Sequence, residues 1–156
     1  MRLQSDFKAP LQRRVDIAQE ALEAFMGKPF AWGTNDCARL ADHVLRAAGY
    51  KPNLGQFGTY ATDRAALRAL KRRHMGTVLD WMDSVPGLAR ITPARALPAD
   101  LIAFPGEGGW HGLTVYIGNG RVLGFTEMAE DGACSIIAAR MVFAVAAWSV
   151  VPWQKS

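Results

Sequence analysis

The stretch from Pro29 to Gly49, "PFAWGTNDCARLADHVLRAAG", decides how the rest of the chain is read. Thr34, Asn35 and Asp36 are residue types that cap helices, and the apolar residues behind them recur at helical spacing. A helix is therefore expected from about Cys37 to Ala48, closed by Gly49. Cys37 opens it. The backbone N–H groups at a helix N-terminus are unpaired and carry partial positive charge. They favour thiolate over thiol, so a lowered Cys37 pKa is expected, and they can hold the negative oxygen formed when a carbonyl is attacked. The same spacing also fits a buried core thiol, because Cys37, Ala41, Val44 and Ala48 share one face that otherwise looks apolar.

Working outward, a first helix is expected from about Leu11 to Phe25, with Leu11, Val15, Ala18, Leu22 and Phe25 on one stripe. Gly27 and Pro29 end it. After Gly49 comes a polar loop containing "NLGQFGTY". A third helix follows, capped by Thr62 or Asp63 and running through Lys71. "TVLDWMD" reads as a short helix or turn, and "TPARALPAD" as a proline-bearing connection. The character then changes. "LIAF" is a short apolar run, "PGEGG" a loop, and "WHGLTVYIGNGRVLGF" two strands around Asn119-Gly120, a strong hairpin signal. One or two further strands are expected beyond Asp131-Gly132. Helices first and a small antiparallel sheet after them make an α+β domain, with the sheet packed on the helix that begins at Cys37. The length, 156 residues, suits one domain.

A thiol nucleophile usually works with a base. His43 lies in the same helix, six residues on, and so faces away from Cys37. His74, in "LKRRHMG", reads as a solvated helix end. His111 follows "GEGGW" and opens a strand, and a histidine there can project over a neighbouring helix terminus. An ordinary loop histidine is the competing reading. No C-x-x-C or H-x-x-x-H spacing is present, so neither a metal nor another cofactor is expected. The net charge of +4 is concentrated in clusters such as "LQRR" and "LKRRH", read as solvated helix faces. No aromatic-glycine signature accompanies them, so nucleic acid is not expected as a partner. The start of the chain has no apolar h-region. "IIAARMVFAVAAWSVV" is interrupted by Arg140 and reads as core strands rather than a membrane span. A soluble protein made in a cytoplasm is expected, carried outward by something else if it acts there.

"PFAWGTNDC-ARLADHVLRAAG" followed by "LPADLIAFPGEGGWHGLTVYIGNGRVLGF" resembles the NlpC-type cell-wall peptidases, a branch of the papain-like cysteine peptidase superfamily. Their pattern is an aromatic-x-aromatic-Gly run, an Asp-Cys that opens a helix, a "GDL-x-F" strand, a glycine-rich loop, and a His leading a strand that ends "Y-I-G-N-G". The match covers about Pro29–Gly49 and Leu97–Phe125 and leaves Tyr50 to Ala96 unmatched. The short "F-x-W-G-x-x-D-C" form looks most like small phage-encoded members found among tail genes. The resemblance implies a papain-like domain with Cys37 as nucleophile and His111 as base. Its implied substrate is a peptide or amide bond in a peptidoglycan stem peptide, often next to D-glutamate. It also implies a virion location in a phage tail, from which the domain is delivered to the cell wall. Asp36 beside the cysteine reads as a helix-terminus group at the substrate site.

Three departures from the pattern bear on the chemistry. The family's usual tyrosine, whose hydroxyl assists the oxyanion site, is Phe30 here. His111 lies one residue farther from "YIGNG" than the family spacing. The polar residue that orients the histidine has no counterpart at Leu123 or Gly124. A two-residue turn at Asn119-Gly120 would set Thr126 diagonally across from His111, whereas a one-residue bulge would set Glu127 directly opposite. Trp32 and Trp110, which flank Cys37 and His111 in sequence, either plug a core edge or wall a substrate groove. Trp148 and Trp153 read as sheet packing or a protein contact. A structural subunit of a tail tip that keeps the fold without the activity, in contact with other tail proteins, is the alternative to the enzyme. Transfer of the acyl group to an amine is a more remote third.

Overall fold

The computed structural model describes residues 10–106, 110–126 and 129–151. Among them are four α-helices: α1 (Pro10–Phe25), α2 (Cys37–Ala47), α3 (Asp63–Arg72) and α4 (Val78–Ser84). Six strands follow: β1 (Ala89–Ile91), β2 (Leu101–Pro105), β3 (His111–Gly118), β4 (Arg121–Phe125), β5 (Cys134–Ala138) and β6 (Ala146–Ser149). They form one antiparallel sheet in the order β1-β6-β2-β3-β4-β5. The architecture is the α+β arrangement expected from the sequence.

Alternation along the strands gives the sheet two faces. Leu101, Ala103, Leu113, Val115, Leu123 and Trp148 point to the main core, where they meet Ile17, Ala21, Leu40, Val44 and Leu45 from α1 and α2. Ile102, Val122 and Ala147 point the other way and gather a smaller cluster with Phe104, Tyr116 and Ile137. The β3–β4 turn uses Asn119 (φ 54°) and Gly120 (φ 71°), both left-handed as a two-residue hairpin turn requires. The register shifts between Tyr116 and Gly118, so the hairpin also carries a bulge.

Local signals explain the helix starts. Thr62 caps α3 by accepting from the Ala65 N–H, and Thr77 caps α4 in a capping box with Asp80. The chain stops for α1 at Gly27 (φ 80°) and for α2 at Gly49 (φ 99°).

The structure corrects several readings. The buried stripe of α1 is Arg14, Ile17, Ala18, Ala21 and Phe25, while Leu11 and Val15 are exposed. Arg14, in the "LQRR" cluster read as solvated, is buried. Its guanidinium pairs with Asp100 at 2.5 Å and also donates to the Pro98 carbonyl and the Ser149 hydroxyl. Asp100 in turn accepts from the Leu97 and Val150 N–H groups. A buried charge is tolerated only when paired and hydrogen-bonded in this way. "NLGQFGTY" is no polar loop. Leu54–Phe57 is a 3-10 turn, and Leu54, Phe57 and Tyr60 are all buried. The last apolar run is only partly core. It contains the end of β5 and all of β6, but Met141–Phe143 is a 3-10 turn with Val142 and Phe143 exposed. β1, only three residues long, escapes the sequence reading altogether.

Trp148 belongs to the sheet packing. It is fully buried, its indole N–H donates to Asp83 at 2.9 Å, and the Arg90 guanidinium lies over its ring. Trp153 lies outside the described residues. Among the described residues no helix is long and apolar enough to cross a membrane.

Candidate active site

Cys37 is the first residue of α2, and Asp36 is its N-cap. One Asp36 oxygen accepts from the Arg39 N–H and the other from the Gly33 N–H, each at 2.8 Å. The Tyr60 hydroxyl also hydrogen-bonds this carboxylate. Asp36 is therefore buried and already engaged on both oxygens, so contact with a substrate through it would have to displace one of these donors. Gly33 holds the turn before the helix. Its φ is 81°, and a Cβ there would fall 2.1 Å from the Tyr60 carbonyl oxygen, so no other residue fits without moving the backbone.

The first residues of β3 lie against the start of α2. The Cys37 thiol faces the His111 carbonyl oxygen, with sulfur and oxygen 4.0 Å apart. It also meets the Leu113 N–H. The expected lowering of the Cys37 pKa is overturned. Burial raises it from 9.0 to about 11 and is the largest influence. The Leu113 N–H favours the thiolate, the Asp36 charge opposes it, and the first N–H groups of α2, those of Cys37 and Ala38, favour it again. The positive helix terminus is real, but removal from water outweighs it. At neutral pH the resting side chain is a thiol.

Cys37 lines a cavity of about 700 Å³ together with His111, Trp32, Asp36, Trp110 and Thr126. Cys37 and His111 are half-buried. Nδ1 of His111 is buried and has no hydrogen-bond partner among the described residues. The hairpin combines the two-residue turn with the one-residue bulge considered from the sequence. Glu127, the residue that the bulged form brings into question, lies outside the described residues, while Thr126 borders the cavity. Trp32 and Trp110 meet with ring centroids 5.3 Å apart, and Phe30 bridges Trp32 (5.1 Å) and Phe125 (5.7 Å). These rings wall the cavity on one side.

The remaining histidines are elsewhere. His43 packs edge-on against Phe25, 5.6 Å between centroids, and burial lowers its pKa. His74 is exposed in a left-handed turn (φ 59°). Cys134 is fully buried, and burial raises its thiol to about 12. Among the described residues no three His, Cys, Asp or Glu side chains gather as a metal site would need.

Sequence reasoning missed the far wall. Leu54, Phe57 and Tyr60 come from the turn after α2, Leu70 from α3, and Val78 and Trp81 from α4. Burial, then the Asp36 charge and the hydrogen bond to Asp36, push the Tyr60 phenol well above its ordinary pKa. The spacing of Leu54, Phe57 and Tyr60, three residues apart, was the available signal, and the polar residues between them masked it.

Fold and site together define an α+β protein with a cysteine at a helix terminus, set against a histidine-led strand in a deep aromatic cavity. Residues 11–150 match the family described as Domain of unknown function (DUF6950), and the chain belongs to that family. No curated protein and no solved structure matches it.

Proposed function

We propose that the protein is a thiol-dependent amide hydrolase of the NlpC type, on a papain-like fold, that cleaves peptidoglycan stem peptides. One observation carries the reading: the Cys37 sulfur sits at the N-terminus of α2 against the opening residues of β3, with His111 in the same cavity. Because the thiol is neutral at rest, it gives up its proton as attack proceeds. His111 takes that proton while the sulfur–carbon bond forms and the carbonyl electron pair moves onto oxygen. The N–H groups at the start of α2 are suited to hold that oxygen. Collapse of the adduct breaks the carbon–nitrogen bond, and His111 returns the proton to the departing amine. Water then adds to the thioester with His111 as base, and a second collapse releases the acid and the Cys37 thiol. The motif match around Cys37 and His111 supports stem peptides as substrate. So do the exposed carboxylates of Asp63 and Asp131 on the cavity lining, which suit the ammonium groups of diamino acids in such peptides.

The test is digestion of purified cell-wall sacculi, read by mass spectrometry of the released fragments. Wild type should release stem-peptide fragments, and Cys37→Ala should release none. Equal release by the two proteins would end the proposal. A second reading, a tail-tip subunit that uses the same fold for assembly, is favoured by the exposed apolar residues Val142, Phe143 and Val145 beside β6. Under that reading neither protein releases fragments.

A further inference from the structure

The cavity beside Cys37 is lined mostly by apolar side chains and extends well beyond Cys37 and His111. Its inner wall is built from Leu54, Phe57, Ala69, Leu70, Val78 and Trp81. All six are almost completely withdrawn from solvent and belong to the main hydrophobic core, yet they border open volume. Apolar side chains that line a cleft gain dispersion contacts when an apolar group fills it. The cavity's size falls within the range of pockets that enclose a small organic ligand.

The charge of the lining is one-sided. Among the described residues it contains the carboxylates Asp36, Asp63 and Asp131 and no lysine or arginine. Asp36 is occupied by backbone and Tyr60 donors, which leaves the exposed pair, Asp63 and Asp131, to act on a ligand. An acidic group entering this space would meet two exposed like charges and would lose its hydration besides. A bulky apolar group meets a matching wall.

We infer that the chamber between α2 and the α3–α4 segment is an acyl-side specificity subsite. It takes a bulky apolar group on the carbonyl that Cys37 attacks and rejects an acidic one. This rests on the proposed reading of Cys37 as the nucleophile, because the acyl portion is the part that becomes bonded to sulfur. It goes beyond that reading in the substrate: stem peptides, built from alanine, glutamate and a diamino acid, carry no bulky apolar side chain, so the chamber assigns Cys37 a second class of acyl substrate. Specificity would then come from the segment 50–96, which lies outside the motif match.

Small disulfide-forming probes test the chamber separately from hydrolysis. Methanethiosulfonates transfer their R–S group to a thiolate and expel methanesulfinate, so Cys37 can be labelled whether or not the protein cleaves any amide. The rates for methyl, hexyl, benzyl and carboxyethyl reagents are measured by intact mass and peptide mapping, each divided by its rate with free cysteine. Hexyl or benzyl should exceed methyl by roughly tenfold or more, given the transfer energy of each buried methylene, and carboxyethyl should fall below methyl. Ala66→Phe, which fills the chamber from α3, should bring the hexyl-to-methyl ratio near one. Leu70→Ala, which widens it, should favour still longer chains. Equal normalised rates for all four reagents, or carboxyethyl faster than hexyl, would overturn the inference even if sacculi are cleaved. Apolar preference without fragment release from sacculi would sustain the chamber and remove the peptidoglycan reading.

Discussion

Positions 29–49 and 97–126 carry Cys37, Asp36, His111, Trp32 and Trp110, whereas positions 50–96 carry Leu54, Phe57, Tyr60, Leu70 and Trp81 on the opposite side of the same cavity. The first set is held by features that tolerate little change: a capped helix start, a glycine pressed on a carbonyl, a bulged hairpin. The second set is held by apolar packing of two short helices and a 3-10 turn, and such packing accepts many combinations of similar volume. The difference teaches where reactivity and selectivity can change separately. Substitutions in 50–96 can reshape what fits without moving the sulfur, and substitutions in the other set act on reactivity itself.

The sharpest way to break this contrast is at His111. His111→Ala should lower fragment release from sacculi by about 10²–10⁴-fold, the usual worth of a positioned base, with the circular dichroism spectrum retained. A loss under tenfold would take the imidazole out of the chemistry. The next largest effect is on pH. With its pKa raised to about 11, the Cys37 thiolate fraction grows about tenfold for each unit of pH below that value. Alkylation of Cys37 by iodoacetamide should therefore climb about 10³-fold between pH 7 and 10, where an ordinary cysteine levels off near 9. A flat profile from pH 5 to 9 would mean a preformed thiolate–imidazolium pair and would contradict the account of burial given above. Cys134, fully buried, should label far more slowly throughout.

Asp100→Ala comes third. It belongs to the "PADLIAF" match but serves the frame rather than the reaction. Removing it leaves Arg14 buried without its partner and should cost about 3–5 kcal/mol in urea unfolding. Asp100→Asn, which keeps the shape, should cost less and leave the rate per folded molecule unchanged. The smallest effect is expected at the junction of the two sets. Tyr60→Phe removes the hydroxyl contact with Asp36 and should lower stability by about 1 kcal/mol. A loss of activity much larger than the loss of stability would give Tyr60 a direct part in the reaction.

Much of the frame was legible because it depends on local signals. Thr62 as a cap, Gly49 as a stop and Asn119-Gly120 as a turn are all decided within a few residues. The burial of Arg14 was not legible, because its partner Asp100 lies 86 positions away and nothing near Arg14 announces it. Leu11 and Val15 misled for the opposite reason, being apolar at helical spacing yet left in solvent. At the site, sequence placed Cys37 at a helix start but misjudged its ionisation. The charge at the terminus is a property of the helix, while the desolvation comes from residues contributed by distant segments. Tyr60 and the inner wall were hidden because turn residues surround them.

The order β1-β6-β2 has a consequence for how the chain reaches this state. β6, the last of the described strands in chain order, is not added at a margin but slots between β1 and β2, and Asp100 fastens residue 150 to residue 14 as it arrives. Until then β2 presents a bare row of backbone donors and acceptors, inviting pairing with another chain. Such long-range closure delays completion of the sheet. Ribosomal synthesis of this protein thus carries an interval of vulnerability to aggregation that lasts from the emergence of β2 to that of β6, and chaperone demand should be greatest in that interval.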